Sequence, residues 1–531
     1  MNKEELQEKI PEKEKKGEWK ARLEKKEQSA EVTSFLSSLW DDIRIFEDDI
    51  RGSEAHVIML KEAGILTEEE ASKILRELEN ALNDWKKDKL KIDESLEDIH
   101  PVVEKYVVER LGVETGGKMH TGRSRNDQVM TDVRMYIRRE IIALIRQIRH
   151  LIKVQISLAE NHIETVMPGY THLQQAQITT FAHFLLSYAD SLLRDIERLE
   201  NLYERVNKSP LGACALAGTS FEISRQRTAE LLGFEGIIEN SIDATTTRDF
   251  AIETIAVLAI HQTNLSRIAE DLILWSTTEF GFLEIPDEYC SISSVMPQKK
   301  NPDSLELIRG RTSKVLGALT YILTMVKGLP SGYNRDLQET KSPLWNAIDT
   351  VKSSTKMLSG LLKDIKIDKE AALKLVKKGY TTALDLAEKI VKETGISFRE
   401  AHNIVGTTIK KLVVKKALLN EEAFNDLKEA WREILGEETP INLPALKDCF
   451  DPLKSINERK SLGSPNPTML KETIKERKKT LENIKTRNKN RETRIKESEK
   501  MLEEIIQDLL KKHKSGLFKF AQRNSLPTRS V

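Results

Sequence analysis

The sequence lacks most of what would staple, anchor or strongly attract it. Three cysteines in 531 residues, Cys214, Cys290 and Cys449, lie far apart and in no C-x-x-C pair. That spacing excludes a disulfide framework and a paired-thiolate metal site, and it predicts a reducing, cytoplasmic setting. There is no excess of either charge sign, with 84 Lys+Arg against 84 Asp+Glu. No global field therefore draws the chain to nucleic acid or to an anionic membrane. No uninterrupted run of about 18 apolar residues occurs, so no membrane span is expected. Residues 1–30 are dominated by Lys and Glu and hold no apolar stretch, which excludes a secretory signal. No solenoid period is visible.

What is present points to helices. Charged residues make up 32% and aromatics 5%, a balance suited to many exposed helical faces. Val133, Ile137, Ile141, Leu144, Ile148, Leu151, Gln155 and Leu158 step by three or four. So do Ile255, Leu258, Gln262, Leu265, Ala269 and Leu272, and again Ile308, Thr312, Val315, Leu319, Ile322 and Val326. Spacing of this kind sustained along the chain predicts long helices packed nearly parallel. Their apolar stripes exceed what one subunit can cover, so the reading is all-α, with a long-helix central bundle shared between subunits. Smaller helical N- and C-terminal domains flank it.

The expected divisions are a polar leader over 1–30, an N-terminal helical domain over 31–120, the bundle over 121–365, a small helical domain over 366–470 and a charged helical tail over 471–531. Thr67 and Glu70 form a capping-box pattern for a helix reaching about Trp85. Pro168 is expected to end the first long helix, and Gly169-Tyr170 to lead into the next. A short strand is expected within 281–285. In the small domain, Thr381–Glu393 and Phe398–Val414 read as helices. The tail carries a thin apolar stripe, Ile474, Leu481, Ile484, Ile495, Leu502, Ile506 and Leu509. It reads as a solvated helix or a small coiled-coil hairpin that is dispensable for catalysis, with the last 18 residues disordered.

Four segments are too polar and too punctuated to be core. Ser293-Ser294-Val295-Met296-Pro297-Gln298-Lys299-Lys300-Asn301-Pro302-Asp303 combines hydroxyls, ammonium groups and an amide. It is suited to holding an anion beside a hydroxyl that can lose its proton. Asn301 reads as a helix N-cap with Pro302 at the first helical position. Residues 116–128 bring three glycines, Arg123, Arg125 and Asn126 to the start of a long helix, a site for carboxylates. Residues 169–177 hold His172 among Thr and Gln groups, and His exchanges protons near neutral pH. Residues 333–341 concentrate Tyr333, Arg335, Gln338 and Lys341 before another helix.

The loop SSVMPQKKNPD at 293–303 resembles the signature loop of the fumarase/aspartase superfamily. With HTGRSRNDQ at 120–128, YTHLQQAQ at 170–177 and YNRDLQE at 333–339, the chain resembles the argininosuccinate lyase family specifically. Asp98-Ile99-His100, 210–221, 248–253 and 269–276 extend the likeness over roughly 35–465. Ile292 departs from the Gly usual in the family, Arg335 from Lys, and Thr247 from Asp.

The resemblance implies a homotetramer that eliminates fumarate from L-argininosuccinate reversibly, leaving L-arginine, without cofactor or metal. It implies Ser293 as base, Lys299 and Asn301 as holders of the developing dianion, Thr171 and His172 on the opposite side, and Glu306 orienting His172. It also implies Ser124, Arg125, Asn126, Arg248 and Lys341 for substrate carboxylates. Tyr333, Gln338 and one of Ser37 and Ser38, with Ser38 preferred, are implied for the arginine half, with His100 a further candidate. Two rival readings are a sister fumarate-releasing lyase, which should lack the 120–128 and 333–339 signatures, and a crystallin-like structural relative.

Overall fold

The computed structural model describes residues 29–524, with side chains to His513. The leader lies almost wholly outside the described residues. Helix α1 (Phe46–Glu62) is buried along most of its length, polar residues included. Each of those charges has a partner: Glu54 accepts from Arg51 at 2.8 Å, Asp48 pairs with Arg139, and Asp49 accepts from Gln128. His56 donates through Nε2 to the Thr121 carbonyl at 2.8 Å, and burial pushes its pKa down to about 3, so the ring stays neutral. Helix α2 (Glu68–Lys86) starts on the expected capping box, Glu70 N–H donating to Thr67 Oγ1 at 3.2 Å and Thr67 N–H to Glu70 Oε2 at 2.9 Å. Helix α3 (Ile99–Leu111) is capped by Asp98.

Helix α4 (Arg125–Asn161) ends at Asn161, not at Pro168. Between it and the next helix stands a β-hairpin, β1 (Val166–Thr171) against β2 (Gln174–Thr180). Pro168 lies within β1, opposite Ile178, and Gly169 sits at a register shift where an added Cβ would come 2.9 Å from the Gln177 carbonyl. The two-residue turn His172-Leu173 has both residues left-handed, at φ 55° and 57°. That is the torsional sign of a type I′ turn, which Asn-Gly normally supplies. Without those residues nothing in the sequence announced the hairpin.

Helices α5 (Phe181–Val206) and α6 (Asp249–Ser276) follow. Then come three short strands, β3 (Leu283–Glu284), β4 (Ser291–Ile292) and β5 (Lys300–Asn301), before α7 (Asp303–Val326), α8 (Lys341–Asp364) and β6 (Lys366–Ile367). Strand β3 pairs with β6, as the short strand expected there, and β4 pairs with β5. Asn301 is therefore a strand residue and not the N-cap of α7. Pro302 takes the cap position, because the Asn301 amide is turned to donate to Ser291 Oγ at 3.3 Å.

The bundle has two distinct poles. Arg134, near the start of α4, donates to the carbonyl of Arg205 at the end of α5 at 2.9 Å and lies 4.0 Å from the ring of Phe250 at the start of α6. At the other pole Phe184 of α5 packs on Trp275 of α6, centroids 5.0 Å apart. Midway, the buried Asp195 carboxylate holds His261 Nδ1 at 2.9 Å while His261 Nε2 meets Thr355 Oγ1 at 3.0 Å, tying α5, α6 and α8 in one register. Helix α7 is the least covered: Leu305, Ile308, Thr312, Val315 and Ile322 are buried, while Leu307, Leu316, Tyr321 and Leu323 are exposed.

Helices α9 (Ala383–Thr394), α10 (Phe398–Lys415) and α11 (Phe424–Leu435) enclose a separate small core around Leu386, Ile404 and Trp431. The tail then departs from expectation. It is one helix, α12 (Pro467–Asn524), docked along the body of its own chain. All seven residues of the thin stripe are buried. Its cations meet body carboxylates, Arg477 on Asp190 at 2.5 Å, Arg487 and Arg491 on Glu200 at 2.8 and 2.9 Å, and Arg494 on Glu235 at 2.9 Å. Near its far end Ser72 of α2 donates to the Leu509 carbonyl at 3.3 Å. The charge that suggested a solvated face is complementary to the body. Residues 514–524, read as disordered, continue the helix, and 525–531 lie outside the described residues. Ile506→Ala is accordingly expected to lower unfolding free energy by about 2–5 kcal/mol in urea titrations. An unchanged midpoint would show that the helix is not docked.

Candidate active site

A cavity of about 310 Å³ opens at the pole where α4, α6 and α8 begin. Those three helix N-termini point partial positive charge toward it. Of the residues expected to bind substrate, Ser38, His100, Arg125, Asn126, Arg248, Tyr333, Gln338 and Lys341 line it. Ser124 does not. Its hydroxyl accepts from Asn126 N–H at 3.4 Å and its N–H donates to Asp127 at 2.9 Å, so it is spent on capping α4.

Arg248 is the most exceptional group there. It is buried, and Nη1 donates only to the carbonyls of Thr245, Thr246 and Thr247 at 3.1, 3.2 and 3.3 Å. Burial pushes its pKa down to about 10, with Tyr333 opposing and Arg134 adding to that shift. No carboxylate pairs with it among the described residues. Lys341, also buried, is already paired: it donates to Ser38 Oγ at 3.1 Å and to the buried Asp42 carboxylate, which Ser38 Oγ also reaches at 2.6 Å. His100 has no free donor either, because Asp98 takes Nδ1 at 2.8 Å and Asp132 takes Nε2 at 3.1 Å. Burial opposes its charge, but the Asp98 and Asp49 carboxylates win and hold its pKa well above the usual value.

Asp49, His100 and Asp132 place one ligand atom each within 4.8 Å of one another, the spacing a metal site needs. His100 would have to surrender its proton to ligate, and the carboxylates around it favour the imidazolium. The group reads as a buried ion cluster that fixes α3 against α4. Sequence reasoning missed three acids that line the cavity, Asp42, Glu97 and Asp98. Their signal was proximity: Asp42 lies one helical turn after Ser38, and Glu97-Asp98 directly precede His100.

The residues expected to do chemistry lie at the other pole. Thr171 and His172 sit exposed at the hairpin tip. Tyr170 packs near Phe280, centroids 5.3 Å apart, on the segment leading to the Ser293 loop. In that loop Ser293 Oγ accepts from the N–H groups of Val295 and Met296 at 3.2 and 3.0 Å. Two amide donors on one hydroxyl oxygen favour its alkoxide. Lys299 is exposed, whereas Lys300 is tied to Asp287 at 2.5 Å. Glu306 is exposed beside Arg309 at 3.8 Å and does not meet His172 within the chain. At about 1.5 Å per residue, the 28 residues of α6 separate Arg248 from the Ser293 pole by roughly 40 Å. One chain therefore does not bring the two sets together.

The chain is a lyase: the family model described as Lyase matches residues 25–317, more than half the chain. A second model, described as Argininosuccinate lyase C-terminal, matches 380–457. The argininosuccinate lyase of Methanocaldococcus jannaschii is 46% identical over 448 residues, covering 84% of this chain and 90% of the relative. That of Nitrosopumilus maritimus is 44% identical, covering 89% and 97%. The chain belongs to the argininosuccinate lyase family. Among solved structures, an EDDS lyase in complex with formate superposes with TM-score 0.81 at 30% identity, covering 89% of this chain and 93% of that one. A class II fumarase from Schistosoma mansoni, at 15% identity and TM-score 0.67 over 81% and 95%, shares the fold.

The Lys341–Asp42 pair generates a stability prediction. Lys341→Met leaves Asp42 buried without its cation and is expected to cost about 3–5 kcal/mol. Adding Asp42→Asn should recover most of that loss in thermal or urea unfolding. A double variant no more stable than Lys341→Met would show that the pair is not coupled.

Proposed function

We propose that this chain catalyses the reversible, cofactor-free elimination of fumarate from L-argininosuccinate, releasing L-arginine, as a cytoplasmic homotetramer. The observation that carries the reading is Arg248, a buried cation without a counter-anion, facing a cavity walled by the other expected substrate ligands. A substrate carboxylate supplies what Arg248 lacks, and Arg125 and Asn126 add donors at the same helix start. Tyr333, Gln338 and Ser38 serve the arginine half.

The hard step takes a proton from the carbon beside a carboxylate, so negative charge accumulates on that carboxylate. Ser293 is the base, its alkoxide favoured by the Val295 and Met296 amides. Lys299 and Asn301 meet the developing dianion, since fixed cations and amides act most strongly where charge appears. Thr171 and His172 serve the leaving side, with Glu306 orienting His172. Ser124 acts from behind the cavity wall by capping α4, and Lys341, in the wall itself, fixes Ser38 and Asp42. His100 is a structural imidazolium.

Because the two half-sites lie roughly 40 Å apart at about 1.5 Å per α6 residue, a complete site needs cavity and loop from different copies. Antiparallel pairing of α7 faces between copies supplies this, since a two-fold contact places opposite poles side by side. The exposed Leu307, Leu316, Tyr321 and Leu323 are the surface available for it, with open space over Gly310 and Gly317. Ile292, Val295 and Met296, all exposed, are covered when the loop closes on a neighbouring cavity.

Release of fumarate from argininosuccinate, followed by absorbance, tests the activity. Ser293→Ala is expected to lower turnover at least about 100-fold with the assembly intact, the usual loss for a removed catalytic base. Turnover within about tenfold of wild type would remove Ser293 from that role. Inactive Arg248→Ala and inactive Ser293→Ala chains, mixed and allowed to exchange subunits, should regain activity through sites that draw one intact pole from each. Failure after verified exchange would mean that both groups act from one chain.

A further inference from the structure

Three acids line the cavity, and two are immobilised. Asp42 is buried under Lys341 and Ser38. Asp98 is held by His100 at 2.8 Å and by Arg125 at 3.1 Å. Glu97 differs from both. Its backbone is fixed, the carbonyl accepting from Ser38 N–H at 2.8 Å and from Ser37 Oγ at 3.2 Å. Its carboxylate is held only by partly exposed guanidinium groups, Arg335 at 2.9 Å and, more loosely, Arg125 at 3.5 Å. The Glu97 and Arg335 side chains are 32% and 42% exposed, so either can turn without opening the core.

Both arginines have other anchors. Arg335 Nη2 also donates to the Leu36 carbonyl at 2.9 Å, and Arg125 has Asp98. Glu97 is thus the one cavity acid that can change partner at little cost. What it holds is the guanidinium of Arg335, itself a lining group of the cavity, and Ser38, Tyr333 and Gln338 line the same cavity.

We propose that Glu97 recognises the cationic guanidinium of the arginine half, taking it in exchange for Arg335 and so setting the preference for a cationic leaving group. A planar guanidinium can replace another in the same carboxylate geometry, whereas a neutral group cannot. Asp98 and Asp42 do not compete, because releasing either would strand a buried cation. The assignment rests on the lyase reading above.

The test compares arginine with citrulline, its neutral ureido counterpart, as inhibitors of fumarate release by the full-length chain. Wild type should bind arginine at least about tenfold more tightly. Glu97→Gln should bring the two within about threefold, and Glu97→Asp, which keeps the charge, should retain the preference. Equal inhibition of wild type, or an unchanged preference in Glu97→Gln, overturns the assignment. If Glu97→Gln does not fold, Arg335→Gln decides: freeing Glu97 of its internal partner should sharpen the preference, and loss of preference overturns the proposal. A wild type that releases no fumarate sinks the lyase reading. One that releases it while Glu97→Gln keeps its preference sinks only the role of Glu97.

Discussion

Helix length is the constraint on which the rest of this structure depends. Helices α4, α6 and α7 are rods of 37, 28 and 24 residues, each beginning at one pole and ending at the other. Chemistry-bearing groups cannot sit along such rods, whose sides are consumed by packing. They collect at the ends, where chains enter and leave helices and backbone amides are free. The sequence order then sends alternate connections to alternate poles. Residues 116–128, 207–248 and 327–340 reach the cavity pole, while 162–180 and 277–302 reach the other. A monomer built this way keeps the cavity and the Ser293 loop at opposite poles, which is why the proposed function requires a second copy.

The cavity pole shows how the charge was arranged. Buried ions are costly unless paired, and several here are paired: Lys341 with Asp42, His100 with Asp98 and Asp132, Asp48 with Arg139. These pairs fix α1 and α3 to α4, and α8 to the segment 39–42 that precedes α1. Of the cations that line the cavity, Arg248 alone has no carboxylate partner among the described residues; like the buried Arg134 behind it, it is held by backbone carbonyls. Among the cations that line the cavity, one without a counter-anion marks where an anion belongs more sharply than a count of basic residues would. Proximity of Arg134 makes the deficit larger.

Long helices and capping were legible in the sequence because they rest on local rules. Stripes of period three to four gave α4, α6 and α7, and Thr67 with Glu70 gave the start of α2. The resemblance located eight polar groups that line the cavity, Ser38, His100, Arg125, Asn126, Arg248, Tyr333, Gln338 and Lys341, but not its acids. What was not legible depended on partners distant in sequence. Tail cations read as solvated because the carboxylates they meet, Asp190, Glu200 and Glu235, lie more than 250 positions away. The seven-residue stripe of α12 was seen correctly. Its depth was misjudged, since a narrow stripe is fully buried when its groove belongs to the same chain. Asn301 was misplaced by one position because its amide meets Ser291, which a helix-start rule does not consider.

The hairpin and the Ser293 loop solve a shared problem in opposite ways. Each holds polar side chains outward at a pole, exposed beyond the packed helices. The hairpin does so through strain. His172 and Leu173 both occupy left-handed backbone that costs about 1–2 kcal/mol for a residue with a Cβ. The β1–β2 ladder must supply that energy, and in return the turn has one defined shape. The loop instead relies on a stem, β4 against β5, whose Ser293 N–H donates to the Lys299 carbonyl at 3.2 Å. Ile292 stands in that stem in place of a glycine, pairing with Lys300. A β-branched residue favours the extended strand and loses less chain entropy on ordering than glycine does. Ile292 therefore stiffens the stem, and the Val295 and Met296 amides tie the loop above it back to the Ser293 hydroxyl.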